Sequence, residues 1–247
     1  MKNFIILLLF FQFNSPGLFA QAAQKDITHN THTWVSINSN LFISKQWFIM
    51  TDLHLRENDF FASNSFLFGR IGLGYQVDKQ VSFAAGYGNL LAAPALAGGR
   101  TRADENRLFQ QVQLLTSYKK IKMLQRLRNE QRWQPIVLND QNTGKNKFSN
   151  RVRYLLNLSI PVFKNPRLPQ LVIADEILLQ FGKDVVYNTF DQNRLFIGIK
   201  QKISNSLSFD AGYMNVFQQK SNGNSYNQND TYRLFFYYNL HSNKEGK

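Results

Sequence analysis

Arginine and glutamate recur in this sequence at intervals of two. Glu105 and Arg107 are so spaced, as are Arg126, Arg128, Glu130 and Arg132, and again Arg151 and Arg153. Glu176, Arg194 and Arg233 stand in similar polar–apolar surroundings, and Arg107 and Arg194 share the tetrapeptide Asn-Arg-Leu-Phe, with a cousin at Tyr232–Phe235. A planar guanidinium gives two parallel hydrogen bonds to a carboxylate. Glu105, Glu130 and Glu176 are therefore natural partners for the arginines around them. Two chemistries are open to such a set. Arginines gathered around a passage select small anions. The same side chains, ion-paired, fill a small barrel and close it. Arginines outnumber acids in the set, and an unpaired buried cation is costly, which argues against a fully closed interior.

Other chemistries find less support. Nucleophilic catalysis needs a nucleophile, a base and an orienting group in mutual reach. His54 is the one histidine inside a predicted strand; Asp52 shares its face, and Ser82 or Ser208 would have to serve as nucleophile. No nucleophile-elbow or zinc-helix motif accompanies them, so no catalytic residue, metal ligand or cofactor is assigned. His29 and His32 fall in a polar N-terminal segment, and His241 in a C-terminal tail. The net charge of +13 raises the question of nucleic acid. Yet many arginines fall on one strand face, and Lys45, Lys79, Lys119, Lys120 and Lys122 fall in turns. No basic helix or RNA-binding signature is present, so nucleic acid is not expected.

Spacing by two means strands, because successive side chains of a strand point to opposite faces. Leu108, Val112, Leu114 and Tyr118 oppose Glu105, Arg107, Gln111 and Gln113; Val152, Tyr154, Leu156 and Leu158 oppose Arg151, Arg153 and Asn157. Segments of this kind lie at 33–43, 47–57, 65–76, 81–89, 105–118, 123–133, 151–161, 171–181, 190–203, 207–215 and 231–240. Most are about ten residues, the length with which a tilted strand crosses a bilayer. Short connections alternate with longer ones at 90–104, 134–150 and 216–230. The parity that turns leucine outward turns Asp52, His54, Arg56, Arg70 and Asp210 inward with the arginine set. Two hairpins repeat one another: Val81–Asn89 (VSFAAGYGN) matches Leu207–Asn215 (LSFDAGYMN).

The expected fold is therefore all-β, an antiparallel transmembrane barrel with a polar, arginine-rich interior. Single-chain bacterial barrels have even strand numbers. Eleven segments then require either a twelfth strand, in 25–33 or a long loop, or the loss of 33–43 to leave ten; twelve is preferred. Residues 1–20 read as a secretory signal: Lys2, a short apolar run from Phe4 to Phe13, then Pro16, Gly17 and Ala20. The expected division is 1–20 signal, 21–32 N-terminal segment, 33–240 barrel and 241–247 tail. The chain has no cysteine, which excludes disulfides and a lipid-modified cysteine. Trp47, Tyr75, Tyr118 and Trp133 fall at strand ends, where interfacial aromatic girdles form. Lys145, Lys147 and Lys220 in the loops are suited to the phosphates of lipopolysaccharide.

The stretches ENRLFQQ (105–111), RNEQRW (128–133), NRVRYLL (150–156), ADEILLQ (174–180) and FDQNRLFIG (190–198), followed by AGYMN (211–215), resemble the family known as domain of unknown function 2490. The resemblance covers nearly all of the chain after the signal. It implies an exported outer-membrane barrel of Gram-negative bacteria without an assigned activity, and it carries over no catalytic residue. The expectation is a monomer in contact with outer-membrane lipid and lipopolysaccharide. Its interior either passes small anionic solutes or is a salt-bridged plug of structural or assembly use; a lipid-acting barrel enzyme ranks third.

Overall fold

A computed structural model describes residues 25–94, 98–165 and 168–241; the expected signal at 1–20 lies outside them. The described residues form eleven strands: β1 (Asp26–Phe42), β2 (Trp47–Asn58), β3 (Ser63–Gln76), β4 (Val81–Ala92), β5 (Glu105–Tyr118), β6 (Ile121–Leu138), β7 (Gln141–Pro161), β8 (Gln170–Phe181), β9 (Phe190–Lys202), β10 (Leu207–Gln219) and β11 (Ser225–His241). They close into one barrel in chain order. Each strand runs antiparallel to the next, but the seam is parallel: β1 pairs with β11 from Asp26↔Ser225 to Phe42↔His241.

That seam corrects the expected strand number of twelve or ten. The parity rule assumes that both termini leave at the same end, and a parallel closing pair removes the assumption. Residues 25–33 hold no extra strand. From Asp26 they lengthen β1, whose inner pairings continue to His32↔Asn58 on β2. Within the segment expected at 21–32, residues 26–32 are barrel wall, and His29 and His32 belong to it; His241 is the last residue of β11.

All three long loops are shorter than expected, two of them by most of their length. The 134–150 stretch is mostly strand, because β6 and β7 extend as a hairpin around the two-residue turn Asn139–Asp140. Both turn residues have positive φ, 49° and 58°, the requirement of a type I′ hairpin turn. The extension is polar because much of it stands in solvent, and composition therefore mimics a loop. Likewise 216–230 shrinks to 220–224. The 93–104 connection is fastened to the hairpin tip: the Arg100 and Thr101 backbone N–H groups donate to the Asp140 carboxylate at 3.0 and 2.8 Å. These donors hold that carboxyl below the usual carboxylate range.

The strand faces follow the alternation. In Asn106–Phe109 and Asn193–Phe196 the leucines are 45% and 53% exposed on the outside, while Phe109 and Phe196 are 1% exposed inside. Each phenylalanine lies against one glycine of a pair that face each other on neighbouring strands: Phe109 against Gly72 of Gly72↔Gly86, and Phe196 against Gly198 of Gly198↔Gly212. The repeated hairpins β3–β4 and β9–β10 thus share a device, in which a missing side chain makes room for an aromatic ring. A Cβ on Gly86 would stand 2.2 Å from the Ile71 carbonyl oxygen, backbone that cannot swing aside, whereas one on Gly69 meets nothing within 4 Å. Gly86→Ala is expected to cost about 1–3 kcal/mol, the usual range for overpacking, and Gly69→Ala much less. Unfolding curves of the two variants check this; equal midpoints would contradict it.

Candidate functional site

The barrel wall encloses a cavity of about 1010 Å³. Nearly every arginine that alternation turns inward lines it, and the barrel register decides which carboxylate each one meets. On β5, Glu105 accepts from Arg107 Nε at 2.5 Å and, across to β6, from Arg132 Nε and Nη2 at 2.6 and 2.8 Å. Arg132 Nη1 reaches on to Gln180 Oε1 of β8 at 3.3 Å.

Two buried glutamates organise the next layers. Glu130 on β6 accepts from Arg151 Nε and Nη2 at 2.9 and 2.5 Å and from Arg153 Nη1 at 2.8 Å; Arg128 stands 3.8 Å away. Glu176 on β8 gathers Arg153 from β7, Arg126 from β6 and Arg194 from β9, at 2.8, 2.7 and 3.2 Å. Arg151 also reaches Asp191 at 3.0 Å, and Arg128 donates to Gln111. One connected network therefore runs along the inner wall from Gln111 on β5 to Arg194 on β9, and the Glu105 cluster forms a second one. Two separate pairs complete the ring: Arg70 with Asp52 on β2–β3, and Arg233 with Asp210 on β10–β11 at 2.6 Å, joined there by the Tyr237 hydroxyl.

Every site residue singled out from the sequence lies on this inner wall: Glu105, Arg107, Arg126, Arg128, Glu130, Arg132, Arg151, Arg153, Glu176, Arg194 and Arg233 each take part in an ion pair. Asp191 escaped the alternation argument. A register shift between Leu178 and Leu179 pairs these residues with Gln192 and Phe190, which leaves Asp191 as the extra residue of a bulge. It is buried beside Gln192 instead of facing out. Glu57 is buried for a related reason, next to the irregularity between Arg56 and Glu57. Period-two reasoning fails wherever two residues oppose one.

Aromatic rings fill the space between the ions. Phe109 lies beneath Arg70 and Arg128, at 4.9 and 5.5 Å from ring centre to guanidinium carbon, and Phe196 beneath Arg233 at 4.1 Å. Such contacts pair a cation with the electron-rich ring face. Trp34, Val172, Ala174, Phe196, Met214 and Val216 form one buried apolar cluster; Phe48, Met50, Ala84 and Phe109 form another. His54 stands between Phe68 and Phe235, at 5.7 and 5.5 Å. Asp52, on the same face, is engaged by Arg70. Ser82 pairs in register with Gln76 and Gln113, and Ser208 with Lys202 and Tyr237, both near the opposite end of the barrel from His54. Lys122, placed in a turn by the sequence reading, lies in β6 and lines the cavity with Lys200.

The family model described as "Protein of unknown function (DUF2490)" matches residues 31–227, and the chain belongs to that family. No curated protein and no solved structure matches the chain.

Proposed function

For this member of the DUF2490 family we propose an outer-membrane β-barrel that passes small anionic solutes through a narrow, arginine-lined interior. The observation that carries the membrane placement is the inversion of polarity across the wall. Ile37, Leu53, Ile71, Leu73, Phe83, Leu108, Leu127, Leu195 and Ile197 stand exposed on the outside of strand after strand, while Glu130, Arg151 and Glu176 are buried inside. A contiguous apolar belt around a soluble protein would exceed the patches that water tolerates; around a barrel it is the surface that lipid requires. Trp47 and Tyr75, with ring centres 4.9 Å apart at the end of the short turns, suit one interface. On this reading the short turns face the periplasm, and Lys145, Lys147 and Lys220 meet lipopolysaccharide at the other side. The barrel acts as a monomer, delivered by the signal at 1–20.

The anion preference rests on the excess of arginine and lysine over carboxylate around the cavity. The pairing of the arginines by Glu105, Glu130 and Glu176 leaves only a narrow route and favours a second reading, a closed barrel with a structural or assembly role. Conductance of the purified protein in planar bilayers separates the two. Small, steady, anion-selective currents are the expected result. Silence gives the closed barrel, and cation-selective current contradicts the proposal.

A further inference from the structure

Among the arginines that line the cavity, Arg56 is the exception. The others each have a carboxylate within ion-pairing distance; among the described residues Arg56 has none. Its surroundings are aromatic. In register on β1, β2 and β3, Trp34, Arg56 and Phe66 stand side by side. The guanidinium carbon is 3.4 Å from the centre of the Trp34 ring and 4.5 Å from that of Phe66. Rings so placed occupy the faces of a guanidinium and leave its hydrogen-bonding edge free. On that edge, Arg56 Nε is buried without a hydrogen-bond partner among the described residues. So are Trp34 Nε1 and His54 Nδ1, which line the same cavity two residues away along the wall or directly across it.

Buried polar groups are nearly always hydrogen-bonded, and each orphan calls for an explanation. Here one cation and two further groups able to donate share a small volume with no protein acceptor assigned to them. We propose that they form a binding site for the oxyanion group, carboxylate or phosphate, of a small solute. The Arg56 fork would take two oxygens of that group, with Trp34 Nε1 and His54 completing its hydrogen bonds. Arg194, whose guanidinium carbon lies 5.1 Å from the centre of the Trp34 ring, adds positive potential while tied to Glu176. The site lies near the β2–β3 turn, within two residues of the end of β2. The proposal deepens the anion-passage reading and rests on it only for how the solute arrives.

Trp34 is its own reporter. With Trp47 and Trp133 changed to phenylalanine, the folded barrel in detergent is titrated with sodium phosphate and with sodium acetate, each at constant ionic strength against chloride. A saturable change in Trp34 emission is expected with at least one of them, and the anion that produces it assigns the head group. Arg56→Gln should weaken binding by about tenfold or more, because a hydrogen bond to a charged group is lost. Arg56→Lys, which keeps the charge but not the fork, should fall between. Arg102→Gln in the exposed 93–104 connection should change nothing. Emission unmoved by both anions, or an unchanged affinity in Arg56→Gln, overturns the site. Should Arg56→Gln fail to fold, the unaltered protein decides: its unfolding temperature must rise with phosphate or acetate at constant ionic strength, and a flat response to both overturns the site. Saturable binding in a barrel that carries no current defeats passage alone; current without a Trp34 response defeats the site alone.

Discussion

Glu176→Ala lowers the unfolding free energy of the barrel by about 3–5 kcal/mol, the cost of leaving buried charges without their partner. Glu176 holds three guanidinium groups, and two of them, Arg126 and Arg194, have no other carboxylate within ion-pairing distance among the described residues. Glu130 is more deeply buried, at 1% exposure, yet its loss should cost less. Arg151 keeps Asp191 and Arg153 keeps Glu176, so only Arg128 is stranded, and that arginine retains Gln111. Water in the cavity moderates both figures without reversing their order. Glu176→Gln, which keeps an acceptor of the same shape but no charge, should fall between alanine and the unaltered protein. Denaturant unfolding in detergent or lipid measures all three. Glu130→Ala costing more than Glu176→Ala would show that burial, not the number of stranded arginines, sets the energy.

The second large effect belongs to the outer face. Leu195→Arg, in the middle of β9, costs about 2–4 kcal/mol in a bilayer if the site lies near the midplane. The same change on the surface of a water-soluble barrel would cost almost nothing, since the leucine is already exposed. Its size therefore reports the solvent around the wall. Leu108→Arg on β5 is the companion, because the two leucines occupy the same place in the repeated tetrapeptide. Refolding into lipid vesicles across a denaturant series gives the numbers. Losses below about 1 kcal/mol at both positions would place water, not lipid, against this face.

Much of this arrangement was legible in the residues. Alternation placed Arg107 and Arg194 inside and Leu108 and Leu195 outside, because a strand gives its side chains no other choice. Strand existence was equally plain; strand length was not. The hairpin beyond Trp133 has its few apolar residues in one unbroken run, Ile136 to Leu138, and the start of β11 is polar on both sides, so no alternation marks either stretch as strand. The odd strand number was hidden because closure is a property of the whole sheet: no residue in Asp26–Phe42 announces that its partner will be parallel. Pairing choices were only partly readable. Glu105 finds Arg107 two residues away, but Glu176 meets Arg126 from two strands back along the wall, a contact fixed by barrel shear. Asp191 lay beyond parity because it is itself the extra residue of a bulge. The orphan state of Arg56 needed the complete set of its neighbours, since only the register shows that aromatic rings rather than acids surround it.

The absence of cysteine allows the central claim, an apolar face in lipid and a charged face within, to be tested residue by residue. Single cysteines introduced in turn at Asn193, Arg194, Leu195, Phe196 and Ile197 carry an environment-sensitive fluorophore, and the labelled barrel is reconstituted in vesicles containing brominated lipid. The expected result is an alternating pattern, with strong quenching at Asn193, Leu195 and Ile197 and weak quenching at Arg194 and Phe196. Quenching of the opposite phase, or none at any position, would contradict the account.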